Sequence, residues 1–384
     1  MKKTIRLFDA EPYGAHFNAE VLACERMEDG FAVVLDQTLF FPEEGGQSAD
    51  TGELSGVSVT HVFERDGVIY HHVDTVLPVG ETVVGKIDFA ARFRKMQNHT
   101  GEHVLSALAH TQYGLRNVGF HLGTRDVTAD FDGELSEQQV REMETRANEI
   151  VAECHPVMGY YPDAATLSTM EYRAKLALCE NVRIVEIEGV DLCACCAPHV
   201  GNTGEIGMIK IMSHERYKGG VRLHFQCGYD ALDAYRADLA QVKEISRALS
   251  VKQGEIAEGV ARLQSENEQL RIALAAAKRD LLAYKLEKIE PTTGNLCLFE
   301  EECDANTLRY LVNGALPRCG GICAAFSGTD NAGYKYIIAA NGTDLRAMSK
   351  EINEAISGRG GGSAQMIQGS CHASRAQIEA YFMK

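Results

Sequence analysis

The amino-acid sequence predicts an α+β protein of several domains: a small β-barrel, an α+β domain, a helical hairpin or coiled coil, and an α/β domain. The chain has 384 residues, which is more than one ordinary hydrophobic core accommodates. Short apolar runs punctuated by glycines fill its beginning, as in an antiparallel barrel or sandwich. Heptad spacing appears after residue 231, and apolar strands alternate with helical patterns near the end.

The bulk composition predicts a globular, cytoplasmic protein without membrane contact. Hydrophobic residues make up 45% of the chain and charged residues 24%. No apolar stretch of about 18 residues occurs, and the N-terminus lacks the apolar core of a signal peptide. The net charge of −16 disfavours indiscriminate binding to nucleic acid, because long-range repulsion slows encounter. Of the 12 cysteines only Cys193, Cys195 and Cys196 cluster, which favours reduced thiols with a metal role for the cluster.

Residues 1–87 form the predicted barrel domain. Its candidate strands are 19–22, 31–35, 57–60 and 68–70. Residues 40–47 contain the adjacent glycines Gly45 and Gly46. The pair is typical of a tight turn between strands. The alternative is a loop whose backbone approaches a ligand closely, because glycine has no side chain to prevent it.

Residues 88–230 form the predicted α+β domain. Asp88 can cap a helix with an apolar face, and His99 and His103 continue that face one turn apart. A capping box at 136–139 opens a second helix that runs to about residue 152. A strand at 182–187 then leads into the cluster of cysteines.

Two short stretches carry the candidate metal ligands. His-Thr-Gly-Glu-His places His99 and His103 on one helix face, and Cys-Cys-Ala-Pro-His offers Cys195 and His199 from a loop. Histidines on an apolar face are more often core residues than ligands. A loop buries little, however, so packing explains the second stretch poorly. Three imidazoles and one thiolate suit zinc better than magnesium or calcium, so the two stretches together predict a zinc site.

Residues 231–290 are the predicted helical hairpin or coiled coil. Apolar residues recur in steps of four and three from Tyr235 to Leu281, with Asn267 as a polar seam position. A capping box at 250–253, where the seam weakens, favours two helices that fold back over one continuous rod. The segment is either a spacer or a surface for dimerisation or for a partner.

Residues 291–384 form the predicted α/β domain, with the glycine run 358–365 near its end. Such a run ahead of a short helix can bind phosphate through backbone N–H groups, and Arg359 adds charge. A plain flexible loop is the alternative. The run lacks the Lys-Ser/Thr of a P-loop, so ATP binding and hydrolysis are not indicated.

Together these motifs resemble the freestanding alanyl-tRNA editing proteins of the long AlaX type, which are similar to the editing and C-terminal parts of alanyl-tRNA synthetase. Residues 41–47 with Asp50 resemble the family's glycine-rich motif, although Glu44 stands where a glycine is usual. The stretches 99–103 and 195–199 resemble its HxxxH and CxxxH elements. The run 358–365 resembles the glycine-rich signature of the DHH-phosphoesterase-associated domain.

The resemblance implies an editing domain of the threonyl/alanyl-tRNA synthetase type that hydrolyses mischarged tRNA(Ala), chiefly Ser-tRNA(Ala) and secondarily Gly-tRNA(Ala). It implies zinc at His99, His103, Cys195 and His199, and tRNA contact through the C-terminal domain, with a homodimer through 231–384 left open. Two alternatives remain. One is a zinc-bearing RNA-binding factor without hydrolytic activity; the other is a metal-dependent hydrolase of small aminoacyl esters.

Hydrolysis of such an ester needs a base for the attacking water and a partner for the serine hydroxyl. Glu102 is the candidate base, although on an ideal helix it lies about 100° from the His103 direction. The remaining catalytic or specificity candidates are Gln47, Thr100, His121 and Thr124. The candidates for phosphate contact are Arg92, Arg94, Lys95, Arg216, Lys218, Arg222 and Arg359.

Overall fold

The structure, a computed structural model, describes residues 2–123, 127–174 and 182–383. The chain divides into two compact units, Met1–Ile245 and Ser246–Lys384. Both contain helices and sheets, which confirms the predicted α+β class. The finer division at residues 87, 230 and 290 stays a prediction. No helix in the described ranges combines the length and the apolar character that crossing a membrane requires.

The first unit opens with a closed barrel of six antiparallel strands. Its elements are β1 (Ile5–Arg6), α1 (Leu7–Ala10), β2 (His16–Met27), β3 (Gly30–Leu35), β4 (Gln37–Thr38), β5 (Gly52–Leu54), β6 (Val57–Arg65), β7 (Val68–Val73) and β8 (Thr82–Ile87). The barrel order is β2-β3-β7-β6-β5-β8, while β1 pairs in parallel with β4. Along β8 every second residue is buried, so alternate side chains fill the barrel.

The remainder of the first unit packs helices against two sheets. Its elements are α2 (Phe89–Tyr113), β9 (Asn117–Leu122), β10 (Val127–Phe131), α3 (Glu137–Glu153), β11 (Val157–Tyr160), α4 (Ala164–Leu167), β12 (Ile184–Ile187), β13 (Asp191–Ala194), β14 (Ile209–Tyr217), β15 (Gly220–Cys227) and α5 (Gly228–Leu249). The sheet orders are β14-β15-β10-β9 and β11-β12-β13. Helix α2 contacts α3 and both sheets, so most of its residues beyond Met96 are buried.

The predicted helix starts of this unit are present. The Asp88 carboxylate accepts the Ala91 N–H at 3.1 Å at the start of α2, and Ser136 with Gln139 forms a complete capping box on α3. At the other end of α2, Gly114 takes a left-handed conformation with φ 68°. Local sequence therefore marks where both helices begin and where α2 ends.

A buried ion pair joins the start of α2 to the loop that follows the glycine pair. Arg92 donates its Nε to Asp50 Oδ2 at 2.8 Å, its Nη2 binds the same oxygen, and Nη2 also reaches the Leu39 carbonyl at 2.5 Å. The Arg92 side chain is 0% exposed. The prediction that Arg92 contacts RNA phosphate is therefore wrong, because its guanidinium is enclosed and neutralised within the protein.

We expect Arg92→Met to lower the free energy of unfolding by about 3–5 kcal/mol, because it leaves the Asp50 carboxylate buried without its cation. The matched control is Arg116→Met, which removes an ion pair to Asp132 from an arginine side chain that is 78% exposed. Its cost should stay below about 1 kcal/mol. Urea unfolding followed by circular dichroism measures both, and equal costs would contradict the anchoring role of Arg92.

The second unit is a five-stranded sheet with helices on both faces. Its elements are α6 (Ile256–Glu287), β16 (Leu296–Glu300), α7 (Ala305–Ala315), β17 (Ile322–Thr329), β18 (Gly333–Ala340), α8 (Leu345–Ala355), β19 (Gly358–Gly362), β20 (Met366–Cys371) and α9 (Arg375–Phe382). The order is β16-β17-β18-β20-β19, and only β16 pairs in parallel. Alternate residues of β17 enter two separate cores, one under α8 and α9, the other under α7 and the end of α6.

The glycine run and the second capping box differ from their predictions. Residues 358–362 are the edge strand β19 rather than a flexible loop or a turn ahead of a helix. The segment contains two helices with a break near residue 250, where the apolar heptad seam weakens. The capping box at 250–253 is nevertheless wrong, because Ser250 takes a left-handed φ of 53° after α5. The 3-10 turn that follows, Gln253–Glu255, is preceded by Lys252 and has no side-chain cap. The coiled coil stays a prediction.

Candidate metal centre

The structure brings the four predicted ligands together. Helix α2 contributes His99 and His103, and the loop after β13 contributes Cys195 and His199. One ligand atom from each residue lies within 4.8 Å of the others. The Cys195 Sγ atom lies 3.5 Å from His99 Nε2 and 3.4 Å from His199 Nε2. The cluster therefore combines residues nearly one hundred positions apart in the sequence.

Two of the histidines have their other ring nitrogen occupied by a side-chain oxygen. His99 Nδ1 lies 2.7 Å from Gln47 Oε1, and His103 Nδ1 lies 3.1 Å from Asp191 Oδ2. Both oxygens are acceptors, so each Nδ1 carries the hydrogen. This arrangement fixes the ring and leaves Nε2 as the nitrogen that faces the cluster, the usual support for a metal-binding histidine.

The third histidine is oriented by the Thr100 hydroxyl. That hydroxyl donates its single hydrogen to the Met96 carbonyl at 2.8 Å, so it accepts from His199 Nδ1 at 3.0 Å and from the Val200 N–H at 3.3 Å. Thr100 is 0% exposed. The prediction that Thr100 reads a serine hydroxyl is therefore wrong in this structure, because its own hydroxyl is fully occupied.

The protonation tendencies of the loop ligands favour metal binding. Burial lowers the pKa of His199 to about 3. Burial raises the pKa of Cys195, but the adjacent His99 and His199 outweigh it and bring that pKa well below its ordinary value. A thiolate beside a neutral imidazole is the form in which these groups bind a metal ion.

Asp191 connects His103 to an arginine that sequence patterns did not reveal. Arg173 donates Nε and Nη2 to the two Asp191 oxygens, each at 2.7 Å. Burial raises the pKa of Asp191, but hydrogen bonds from His103 and Arg173 outweigh it and lower that pKa to about 2. Asp191 is therefore ionised and orients the imidazole of His103.

Glu102 lies beside the cluster with one oxygen held in place. Its Oε1 accepts from Ser106 Oγ at 2.5 Å and from Asn117 Nδ2 at 2.5 Å. Its Oε2 lies 4.0 Å from His103 Nε2. The carboxylate thus reaches the edge of the cluster, although Glu102 projects from α2 in a different direction from His103. Neither Ser106 nor Asn117 carried a sequence signal.

The glycine loop positions Gln47 by resting on strand β9. Gly46 has a φ of 87°, and a Cβ there would lie 2.4 Å from the Phe120 carbonyl oxygen. The Leu122 N–H donates to the Gly46 carbonyl at 2.8 Å. The close backbone approach is therefore to a neighbouring strand, and it places the Gln47 side chain against His99.

His121 does not belong to this cluster. On β9 the ring of Phe120 lies 4.8 Å from that of His99, centroid to centroid, and neighbouring strand residues face opposite sides. His121 is exposed on the other side, so its predicted pocket role is wrong. Thr124 lies outside the described residues, and its role stays a prediction.

The basic candidates near the start of α2 have partners inside the protein. Arg94 binds Asp230 at 2.6 Å and Asp233 at 2.7 Å. Lys95 donates to the carbonyls of Ser48 and Ala49. These contacts reduce the charge available to a phosphate, so Arg94 and Lys95 are poorer candidates than their sequence suggests.

The hairpin of β14 and β15 carries three more candidates. Arg222 pairs with Asp130 at 2.6 Å and lies over the Tyr217 ring at 3.7 Å. Arg216 pairs with Glu134 at 3.1 Å, and its side chain is 84% exposed. Lys218 is exposed and lies 4.9 Å from the Tyr217 ring. Contact of this hairpin with RNA stays a prediction.

A separate cavity of about 570 Å³ lies in the second unit, between α8 and β19. Its lining is Lys350, Asn353, Glu354, Ser357, Gly358, Arg359 and Gly360. Lys350 and Arg359 are exposed, and across the described ranges neither makes an ion pair. The predicted Arg359 thus borders a cavity with two available cations.

Two family models match parts of the chain. Residues 182–224, which include Cys195 and His199, match the "Threonyl and Alanyl tRNA synthetase second additional domain". Residues 10–91, which include the barrel and the glycine loop, match "tRNA synthetases class II (A)". The two matches fall on the two parts of the first unit that meet at the cluster.

Curated relatives match nearly the whole chain. The alanine–tRNA ligase of Methanococcus vannielii is 32% identical over 98% of this chain and 43% of its own length. Those of Natronomonas pharaonis and Halorubrum lacusprofundi are 31% and 30% identical, each over 90% of this chain and 39% of their own length. The chain therefore spans less than half the length of these relatives.

Proposed function

Because this AlaX-like chain is related to the alanyl-tRNA synthetases over nearly its whole length, we propose that it removes wrong amino acids from tRNA(Ala). The substrates are Ser-tRNA(Ala) chiefly and Gly-tRNA(Ala) secondarily, and the reaction is hydrolysis of the aminoacyl ester. The observation that carries this proposal is the cluster of His99, His103, Cys195 and His199, part of which lies in the matched synthetase domain.

The donor set fits zinc. At ordinary zinc–nitrogen and zinc–sulfur lengths, two ligands of a tetrahedral site lie about 3.5 Å apart. The separations of Cys195 Sγ from His99 Nε2 and His199 Nε2 are 3.5 and 3.4 Å. A bound zinc ion would polarise the ester carbonyl and acidify a coordinated water. His99, His103, Cys195 and His199 would hold it.

Of the four residues, Cys195 alone is of intermediate exposure, although its thiol is enclosed, whereas the three histidines are at most 5% exposed. A structural site uses all four ligands, whereas a catalytic site keeps a position open. We therefore place the substrate ester on the Cys195 side. The buried histidines keep the opposite side of the site rigid, because their rings are held by Gln47, Asp191 and Thr100.

Glu102 serves as the base in this proposal. Its Oε2 accepts a proton from the attacking water, and the water oxygen bonds to the ester carbonyl carbon. The bond from that carbon to the ribose oxygen then breaks, and the ribose oxygen takes up the proton. Ser106 and Asn117 hold Oε1, so Oε2 is the oxygen directed at the cluster.

Gln47 is the remaining described candidate for the serine hydroxyl. Its Oε1 is bound to His99, while its Nε2 is buried and has no hydrogen-bond partner among the described residues. A buried donor without a partner costs about 1–3 kcal/mol. A serine hydroxyl that accepts this N–H removes that cost, and alanine cannot remove it.

We expect Gln47→Met to have two effects. Loss of Oε1 frees the His99 ring and should weaken zinc affinity about 10–100-fold, as measured by chelator competition. Loss of Nε2 should lower the rate on Ser-tRNA(Ala) relative to Gly-tRNA(Ala) about tenfold at saturating zinc. The control is Gln37→Met, whose side-chain Nε2 donates to the Asn18 carbonyl at 2.8 Å, away from the cluster ligands. An unchanged serine-to-glycine ratio would remove Gln47 from the specificity determinants.

The cavity of the second unit is our proposed tRNA contact. Lys350 and Arg359 are cations with no ion pair in the part of the chain that the structure describes, unlike Arg92 and Arg94. Exposed cations of this kind bind phosphates and release condensed counterions.

We expect Lys350→Ala/Arg359→Ala to weaken tRNA(Ala) binding and to flatten the salt dependence of log K by up to about 2. Arg346→Ala is the control, because Arg346 lies on the same helix α8 and does not line the cavity. Filter binding at several salt concentrations measures both. Equal losses in the two proteins would assign the effect to net charge alone.

The proposal is tested with Ser-tRNA(Ala), Gly-tRNA(Ala) and Ala-tRNA(Ala), together with serine ethyl ester. Fast loss of the serine and glycine esters with slow loss of alanine supports editing. Turnover of the small ester at the same efficiency would favour a hydrolase of small aminoacyl esters. Tight tRNA binding without turnover would favour an RNA-binding factor with a structural metal.

A further inference from the structure

Three flat side chains stack on the outer surface of the barrel. On β6 the ring of His61 lies 6.0 Å from that of Phe63, centroid to centroid, with 24° between the two planes. The ring of Tyr70 on the paired strand β7 lies 5.2 Å from that of Phe63, with 6° between the planes. We call these three residues the ring column. Because its rings are nearly parallel, a further flat group can extend it by stacking on an exposed end.

His61 is the exposed end of the ring column. Its side chain is 47% exposed, whereas Phe63 and Tyr70 are half-buried. Val62, between the two column residues of β6, is buried, and its carbonyl accepts the Glu43 N–H at 3.0 Å. The chain segment that leads into the glycine loop is therefore the neighbour of β6 at this point, and the ring column ends beside it.

This exposed end lies close to the proposed reaction site. Gln47 follows Glu43 by four residues, so their Cα atoms are at most about 14 Å apart. Gln47 Oε1 lies 2.7 Å from His99 Nδ1, and a Cβ at Gly45 would lie 3.6 Å from Sγ of Cys196, the residue after a cluster ligand. The glycine loop thus connects the ring column directly to the cluster.

We propose that the ring column binds the unpaired nucleotides at the 3′ end of the tRNA, with one base stacked on His61. This rests on the proposed function, because the aminoacyl ester is attached to the terminal ribose and must reach the cluster. Proteins bind single-stranded nucleic acid by stacking bases on aromatic side chains beside positive charge. Arg65 supplies that charge: its guanidinium is exposed, lies 4.9 Å from the Phe63 ring centroid and makes no ion pair within the described ranges.

The carboxylate of Glu43 lies at the edge of the His61 ring. Its Oε2 is 3.9 Å from His61 Nε2, and the Glu43 side chain is 63% exposed. A carboxylate accepts hydrogen bonds from the exocyclic amines of cytosine and adenine, whereas uracil presents the O4 acceptor in the same place. The 3′ end of a tRNA, C-C-A, has an amine on every base. Glu43 therefore contacts the base edge rather than a phosphate.

Filter binding with uncharged tRNA(Ala) tests the stacking without hydrolysis. We expect His61→Ala to weaken binding of the intact tRNA about tenfold, and to leave binding of a tRNA without its three terminal nucleotides unchanged. His61→Phe keeps a flat ring and should bind the intact tRNA like the native chain. The matched control is His16→Ala, because His16 is an exposed histidine on β2, three strands away around the barrel.

Three results would overturn the stacking proposal. They are equal losses with intact and shortened tRNA, equal losses in His61→Ala and His16→Ala, and a His61→Phe protein as weak as His61→Ala. Failure of the proposed function gives a different result. The His61 effect on intact tRNA would then remain while Ser-tRNA(Ala) persists at the buffer rate, which contradicts editing and supports the binding surface.

A tRNA(Ala) that ends in U-U-A tests the role of Glu43. We expect the native chain to bind this end about fivefold more weakly than C-C-A, because uracil places an acceptor against the carboxylate. Glu43→Gln should reduce the difference, since its amide can donate to O4. Equal binding of the two ends by the native chain would contradict the contact between Glu43 and the base.

Discussion

Replacement of Cys195 by alanine is expected to remove bound zinc and the hydrolysis of Ser-tRNA(Ala) together. Cys195 supplies the only thiolate of the proposed donor set, and its Sγ lies within 3.5 Å of two ligand nitrogens. Three buried histidines without it form a weaker and differently shaped site. We expect metal content to fall from one equivalent to nearly none, and the deacylation rate to fall about 1,000-fold or more.

The matched control is Cys193→Ala. Cys193 lies two residues earlier at the end of β13, and burial raises the pKa of its thiol to about 11, so it stays protonated. It does lie near His103 and Asp191, although Asp191 is already bound to Arg173. Full zinc in Cys195→Ala together with loss of zinc in Cys193→Ala would show that the wrong thiol has been assigned.

The second large effect is expected for Glu102→Gln. The substitution preserves the size of the side chain but removes the carboxylate that accepts the proton of the attacking water. We expect kcat to fall about 100- to 10,000-fold with zinc content and tRNA affinity unchanged. Single-turnover deacylation with metal analysis of the same preparation measures both quantities.

Ser106→Ala provides the comparison for Glu102. It removes one of the two donors to Glu102 Oε1 and leaves Asn117 in place, so the carboxylate stays but is less firmly held. We expect a loss of about tenfold or less. If Glu102→Gln costs no more than Ser106→Ala, Glu102 is a structural residue and another group activates the water.

The metal cluster could be predicted from sequence because its ligands occur as two pairs, and the members of each pair are four residues apart. Histidines spaced by four residues share a helix face, and a cysteine and histidine in a loop have little packing role. The supporting residues could not be found in this way. Asp191, Arg173 and Asn117 carry common side chains in unremarkable contexts, and only the tertiary structure places them beside His103 and Glu102.

The same reason explains the errors in the basic residues. Arg92 and Arg94 are basic residues close together in the sequence, as in a phosphate-binding patch. The fold pairs them with Asp50 and Asp230, which are 42 and 136 positions away in the sequence. The prediction for His121 was wrong because neighbouring residues of a strand face opposite sides, and on β9 Phe120 is the one that faces the cluster. Such pairings form only in the folded chain, and they cannot be predicted from the periodicity of the sequence.

The fold was predictable where side chains define a pattern. The heptads after residue 231 correspond to α5 and α6, and the capping residues correctly mark the starts of α2 and α3. The run at 358–362 was predicted as a turn ahead of a helix or a flexible loop, and its strand was missed because glycines offer no alternation. Its pairing with β20 depends on the neighbouring strand, which contributes Ile367 and Cys371 to the core.

The most direct measurement is the half-life of Ser-tRNA(Ala) with the native chain carrying one equivalent of zinc. We expect loss of the serine ester far above the buffer rate, while Ala-tRNA(Ala) under the same conditions decays near the buffer rate. Persistence of Ser-tRNA(Ala) at the buffer rate, with the zinc content full and the tRNA bound, would contradict the proposed editing function.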